Sequence, residues 1–148
     1  MRTLLSHWQA SPIFTAMSGT YSTVTLGIDN SLTGGADRPN LSGNPNLEKP
    51  TVSRWFDTAA FSRPPTGSFG NSGRGTILGP GAWNLDLALS RSFPIGDRQK
   101  VDFRWETFNV MNHARYNNPV TNFSSGAFGQ ILSARDPRIM QFAVKYVF

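Results

Sequence analysis

Between residues 81 and 93 the odd positions Trp83, Leu85, Leu87 and Leu89 are large and apolar, while the even positions Asn84, Asp86, Ala88, Ser90 and Ser92 are polar or small. Side chains alternate between the two faces of a strand, so this pattern excludes a helix and requires a strand whose two faces meet different surroundings. Pro94-Ile95-Gly96-Asp97-Arg98 reads as a short turn. The alternation then resumes, with Val101, Phe103 and Trp105 on one parity and Asp102, Arg104 and Glu106 on the other. Two such runs across a Pro/Gly turn predict a hairpin of strands over 82–93 and 99–111.

The last eleven residues, 138–148, repeat the theme. Met140, Phe142, Val144, Tyr146 and Phe148 form a wholly apolar face, and the sequence stops on the last of these aromatic side chains. Eleven residues at about 3.3 Å each, tilted by roughly 45°, cover about 25 Å along a membrane normal, the height of the apolar band of an outer-membrane barrel. The length fits a bilayer.

Composition agrees with β structure and long connections. The 148 residues include 14 Gly, 10 Pro and 11 Phe, and only 16% are charged. Turn formers and aromatics are therefore abundant, and the residues that fill helices are scarce. The net charge of +5 comes from single basic residues dispersed along the chain, without the basic run that nucleic-acid binding favours. With no cysteine, disulfides, Cys-ligated zinc and thiol catalysis are excluded. No apolar run reaches the length of a transmembrane helix, and the start breaks its apolar stretch at Ser6 and His7, too early for a signal peptide. A membrane strand reading therefore implies that a signal lies upstream, in a longer polypeptide.

The remaining segments fall around these strands. A strand is expected at about 5–17, with Trp8, Ala10, Pro12, Phe14 and Ala16 on its outward face, and a short β continuation at 21–26. Residues 27–80 are punctuated too densely by Gly and Pro for long elements and are read as a loop. One apolar cluster, 55–61, offers a helical turn or two. A second loop covers 112–137, with a short strand expected at 128–133. If Phe148 ends in the periplasm, the turn at 94–98 lies on the periplasmic side and both long connections face outside, the asymmetry of outer-membrane barrels.

Four segments together resemble the C-terminal end of TonB-dependent outer-membrane receptors, in particular the Oar-like group, whose full chains begin with a carboxypeptidase-regulatory-like domain. They are Ser31-Leu32-Thr33-Gly34-Gly35-Ala36-Asp37-Arg38-Pro39-Asn40, Trp55-Phe56-Asp57-Thr58-Ala59-Ala60-Phe61, Phe69-Gly70-Asn71-Ser72-Gly73-Arg74, and Ser133-Ala134-Arg135-Asp136-Pro137-Arg138 leading to Phe148. The resemblance implies an all-β antiparallel transmembrane barrel segment, about the last four strands of a 22-stranded barrel, with long extracellular loops. The plug and N-terminal domains would lie outside this sequence, and TonB would be engaged only through them. It further implies a Gram-negative-type outer membrane, uptake of an unidentified substrate, and recognition of Phe142, Val144, Tyr146 and Phe148 by the barrel-assembly machinery.

On this reading Trp83, Leu85, Leu87, Leu89, Val101, Phe103 and Trp105 face outer-membrane lipid. The alternative is the buried face of a secreted β-sandwich module that uses its loops to bind carbohydrate or protein. Arg54, Trp55, Phe56, Phe61 and Arg63 combine aromatic and basic groups as candidate contacts for an external ligand, against the plainer role of pinning the loop by packing. Asp29, Asn30 and Asp37 lack the alternating ligands and closing Glu of a calcium loop, which leaves a solvated turn. His7 and His113 have no acidic neighbour at ligand spacing. The sequence has no nucleophile elbow and no phosphate loop, so neither an enzyme nor a metal or cofactor site is expected.

Overall fold

The structure, a computed structural model, describes residues 7–96 and 98–148. In chain order the elements are β1 (Trp8–Met17), β2 (Tyr21–Ser22), β3 (Asn40–Leu41), β4 (Asn46–Thr51), β5 (Arg54–Phe56), a 3-10 turn (Thr58–Ala60), β6 (Phe61–Ser62), β7 (Ile77–Leu78), β8 (Ala82–Ile95), β9 (Gln99–Phe108) and β10 (Ile139–Val147). They divide into two units. One comprises residues 1–17, 83–115 and 136–148; the other is built from the two connections, 18–82 and 116–135.

The first unit is a single four-stranded sheet in the order β1-β8-β9-β10. Both β8 and β10 pair antiparallel with β9. Trp8 lies beside Arg91 and Phe14 beside Trp83, so β1 and β8 also run in opposite directions. The sheet is open: β1 and β10 are its two edges. Its hairpin is longer than the turn signal predicts, because Pro94 and Ile95 remain in register with Lys100 and Gln99. Gly96, at a φ of 67°, begins the reversal, and Asp97 lies outside the described residues. The expected start of the first strand at Leu5 also lies outside them.

β9 stops at Phe108, short of the expected 111. Asn109 adopts a φ of 54°, a left-handed conformation that Asn tolerates better than most residues. Its backbone N–H donates to Asp86 Oδ1 at 2.8 Å, and its side chain brackets the His113 backbone with two 3.0 Å hydrogen bonds. A left-handed residue with its polar atoms committed in this way ends the strand.

The second unit has a core of its own. β2 pairs with β7, β3 with β6 and β4 with β5, each as a short antiparallel ladder. Val24, Phe56, Ala60, Phe61 and Ile77 are buried together, and Leu41, Trp55, Phe123 and Phe128 pack against them. Phe56, Phe61 and Phe128 meet edge to face, with ring centroids 5.1 to 5.8 Å apart. This arrangement aligns the positive ring edges with the negative faces. The two segments read as loops are thus packed structure. The expected strand at 128–133 is absent: 122–130 winds through successive turns, with Ser125, Phe128 and Gln130 each donating to a carbonyl three residues earlier. Gly129, Gln130 and Ile131 also bond to Val120, Trp55 and Val52 on separate segments, with only one or two bonds to each, so no regular ladder forms there.

Candidate functional site

Register assembles the apolar face from four strands. Cross-strand rows read Leu87-Thr107-Met140, Leu89-Trp105-Phe142, Arg91-Phe103-Val144 and Phe93-Val101-Tyr146. The even positions of β1 join the same side, with Trp8 edge-on to Phe103 and Phe14 beside Trp83. The structure therefore brings Trp83, Leu85, Leu87, Leu89, Val101, Phe103 and Trp105 onto one surface with Phe142, Val144 and Tyr146. Side chains on the outer strands are open: Phe14 is 66% exposed, Phe142 68% and Val144 70%. Phe148 lies just past the end of β10, its ring 5.9 Å from that of Tyr146. A sandwich would cover such a face with a second sheet.

The opposite face is polar. Its rows are Ala88-Glu106-Gln141, Ser90-Arg104-Ala143 and Ser92-Asp102-Lys145. Ser92 Oγ donates to Asp102 Oδ1, the Lys100 ammonium stands 3.3 Å from Asp102 Oδ2, and Arg104 Nε donates to Glu106 at 3.0 Å. Cross-strand and same-strand partners thus hold the charges on the wall side that suits water. Trp83 stacks on the His113 imidazole at 4.4 Å where β8 begins.

In the second unit the candidate contact residues separate. Phe56 and Phe61 are enclosed in the aromatic core, so they pack and cannot touch an external ligand. Trp55 is half-buried, and its indole N–H donates to the Leu78 carbonyl at 2.8 Å. Arg54 is exposed and paired with Asp57, which caps the 3-10 turn by accepting from Ala59 N. Arg63 is exposed.

The segment containing Asp29, Asn30 and Asp37 is not the solvated turn expected. Asn30 is 3% exposed and Asp37 6%. Asn30 Nδ2 donates to the carbonyls of Pro65 at 2.9 Å and Ser68 at 3.0 Å, while the Asp29 carboxylate accepts from the backbone of Thr33 and Gly34. Two of the segments that carried the resemblance also clasp each other. Asn71 Oδ1 accepts from Leu41 N, Asn40 Oδ1 accepts from Asn71 N, and Ser72 N donates to Pro39 O. Gly70 permits this approach, since a Cβ there would collide with the carbonyls of Arg38 and Pro39. Among the described residues no three His, Cys, Asp or Glu side chains gather as a metal site would require.

The Ser31 backbone N–H, 2.6 Å from Oδ2, holds the Asp37 carboxyl below its ordinary value of 3.8, against the opposing effect of burial. Because the folded value is depressed, the contribution is complete above the unfolded value and is lost as pH falls through the folded one. Urea unfolding of the second unit at stepped pH, followed by the near-ultraviolet aromatic signal, should lose an increment of stability below the ordinary carboxylate range. Asp37→Asn should lack that increment. Identical pH slopes in the two proteins would remove Asp37 from this role.

An antiparallel sheet with one predominantly apolar face, one charged face and two open edges defines a class: the wall of a membrane β-barrel. The chain belongs to the outer membrane beta barrel domain family, whose model matches residues 1–141. That family places the protein in the outer membrane. Neither the curated proteins nor the solved structures contain a match.

Proposed function

We propose that the chain is the C-terminal part of a TonB-dependent receptor of the Oar-like group, contributing about four strands to a 22-stranded barrel in a Gram-negative-type outer membrane. The barrel would take up a substrate using energy relayed by TonB through an N-terminal part outside this sequence. The order and spacing of the four resembling segments support the finer assignment. The observation that carries the reading is the sheet itself: its apolar face is built from every strand, and both long connections leave from the same end. In a barrel of this kind that end faces outside, the apolar face meets lipid, and the charged face lines the interior.

Phe142, Val144, Tyr146 and Phe148 are the residues proposed to meet the barrel-assembly machinery. They lie along one side of an edge strand that an incoming strand can extend. The role of this part is structural and receptive, not catalytic. Within the second unit Arg54 and Arg63 remain as exposed candidates for contact with an external ligand.

Reading the genomic frame upstream of residue 1 tests the proposal. Several hundred in-frame residues of alternating strands, preceded by a plug and a signal peptide, are the expected result. A stop codon close upstream, with its own ribosome-binding site, would overturn it.

A further inference from the structure

The polar face changes character along its length. Toward the hairpin turn Lys100 and Lys145 flank a single carboxylate, Asp102, and at mid-strand Arg104 pairs with Glu106. The next row, toward the connections, is Asp86-Phe108-Ile139. Ile139 is in register with Phe108, and the Asp86 carboxylate accepts from the backbone N–H of Asn109, the residue after Phe108. Two of these three side chains are apolar on a face that is otherwise charged, and both are open, Phe108 at 42% exposed and Ile139 at 43%. Ile13 of β1 adds to this end, because Phe14 lies beside Trp83 on the opposite face.

Asp86 supplies the charge. Asn84 Nδ2 and Asn109 N donate to its Oδ1 at 2.7 and 2.8 Å, which fixes the carboxylate in place. Its Oδ2 accepts no hydrogen bond from the described residues and is open to solvent. Among the described residues no Lys or Arg lies within ion-pair distance of Asp86; Arg138, beside Ile139 in sequence, bonds the Val110 carbonyl instead. A carboxylate held by neutral donors, in one row with an open aromatic ring, suits a cation, which both the charge and the ring face attract. The excess of positive charge lies at the turn end, so the field along the wall drives a cation toward this end.

We propose that Asp86, Phe108 and Ile139 form a subsite for an organic ammonium with an apolar body, a group carried by the ligand that the barrel takes up. The ammonium meets Asp86 Oδ2 and the Phe108 ring, and the apolar body lies against Ile139 and Ile13. The assignment rests on the reading above that the polar face lines the interior and that both connections lie outside, which puts the subsite at the entrance.

The test uses the full-length outer-membrane protein in a mild detergent and three probes. These are 2-phenylethylammonium, 2-phenylethanol of similar shape without the charge, and ethylammonium without the ring. Equilibrium dialysis should show 2-phenylethylammonium binding roughly tenfold more tightly than either of the others. Asp86→Asn keeps an acceptor for Asn84 and Asn109 and should weaken ammonium binding about fivefold, with 2-phenylethanol unaffected. Phe108→Leu keeps an apolar side chain and should weaken it about threefold. Resistance of each variant to SDS at room temperature establishes that it has folded. If wild type does not prefer the ammonium, a comparison that needs no variant, the subsite does not exist. It fails equally if folded Asp86→Asn binds the ammonium as wild type does. Ile139→Cys, treated in intact cells with a bulky impermeant maleimide, checks the orientation separately. Labelling supports an entrance reached from outside. No labelling, in a protein that still prefers the ammonium in detergent, overturns that orientation and leaves the binding chemistry standing.

Discussion

Phe56→Ala should dismantle the second unit while leaving the four-stranded sheet assembled. Phe56 is fully buried and touches Phe61 and Phe128 edge to face. Truncating a buried Phe to Ala costs about 3–5 kcal/mol, from lost transfer energy and the cavity left behind. That sum rivals the whole stability expected of a small unit whose ladders are two to a few residues long. Limited proteolysis of outer membranes should then cut the connections 18–82 and 116–135 in the variant and spare them in wild type. The strands should stay protected, because the register of β8, β9 and β10 uses none of these rings. Equal resistance of the connections in both proteins would mean that the aromatic cluster does not hold them together.

A charge placed on one face of β8 should abolish assembly, and the same charge one residue later should not. Leu87 lies in mid-strand on the apolar face, in register with Thr107, whereas Ala88 faces the other way, opposite Glu106. An Arg directed at the bilayer midplane costs roughly 2–4 kcal/mol. Leu87→Arg should therefore reduce the folded, membrane-inserted fraction at least tenfold. Ala88→Arg gains a carboxylate neighbour and water, and should insert close to the wild-type level. Insertion is read from the SDS-resistant fraction in purified outer membranes. If both variants insert equally, the apolar face does not meet lipid; if only Ala88→Arg fails, the two faces are reversed.

How far the fold was legible depended on how local its signal is. A strand between lipid and water obeys a period of two, and that period can be counted along 83–89 or 140–148 without knowledge of any partner. Strand ends were less legible. Pro94 looked like part of the turn yet stays in register with Lys100 at the hairpin end, and Asn109 stops β9 through a carboxylate on another strand. The core of the second unit was the least legible part. Phe128 reaches Phe56 from a separate segment, with Phe123 against Phe128, and no periodicity announces a meeting of that kind. Phe56 and Phe61 consequently read as packing groups or as groups on offer to a ligand, and the sequence does not name the rings they pack on. Arg91 escaped for the opposite reason: a single Arg beyond a run of leucines is unremarkable until the register puts it on their face.

The interlacing of the two connections also sets an order of events. Phe123 donates to the Thr25 carbonyl, Ser124 Oγ to Leu26, Ile131 to Val52, and Thr20 bonds Asn118, so the unit is sewn together by residues 79 to 98 positions apart. Closing loops of this length makes folding slow compared with a hairpin. A chain stopped short of Phe128 leaves Phe56 with its face open, so neither connection can close the core by itself. The unit becomes rigid only when both connections are present together.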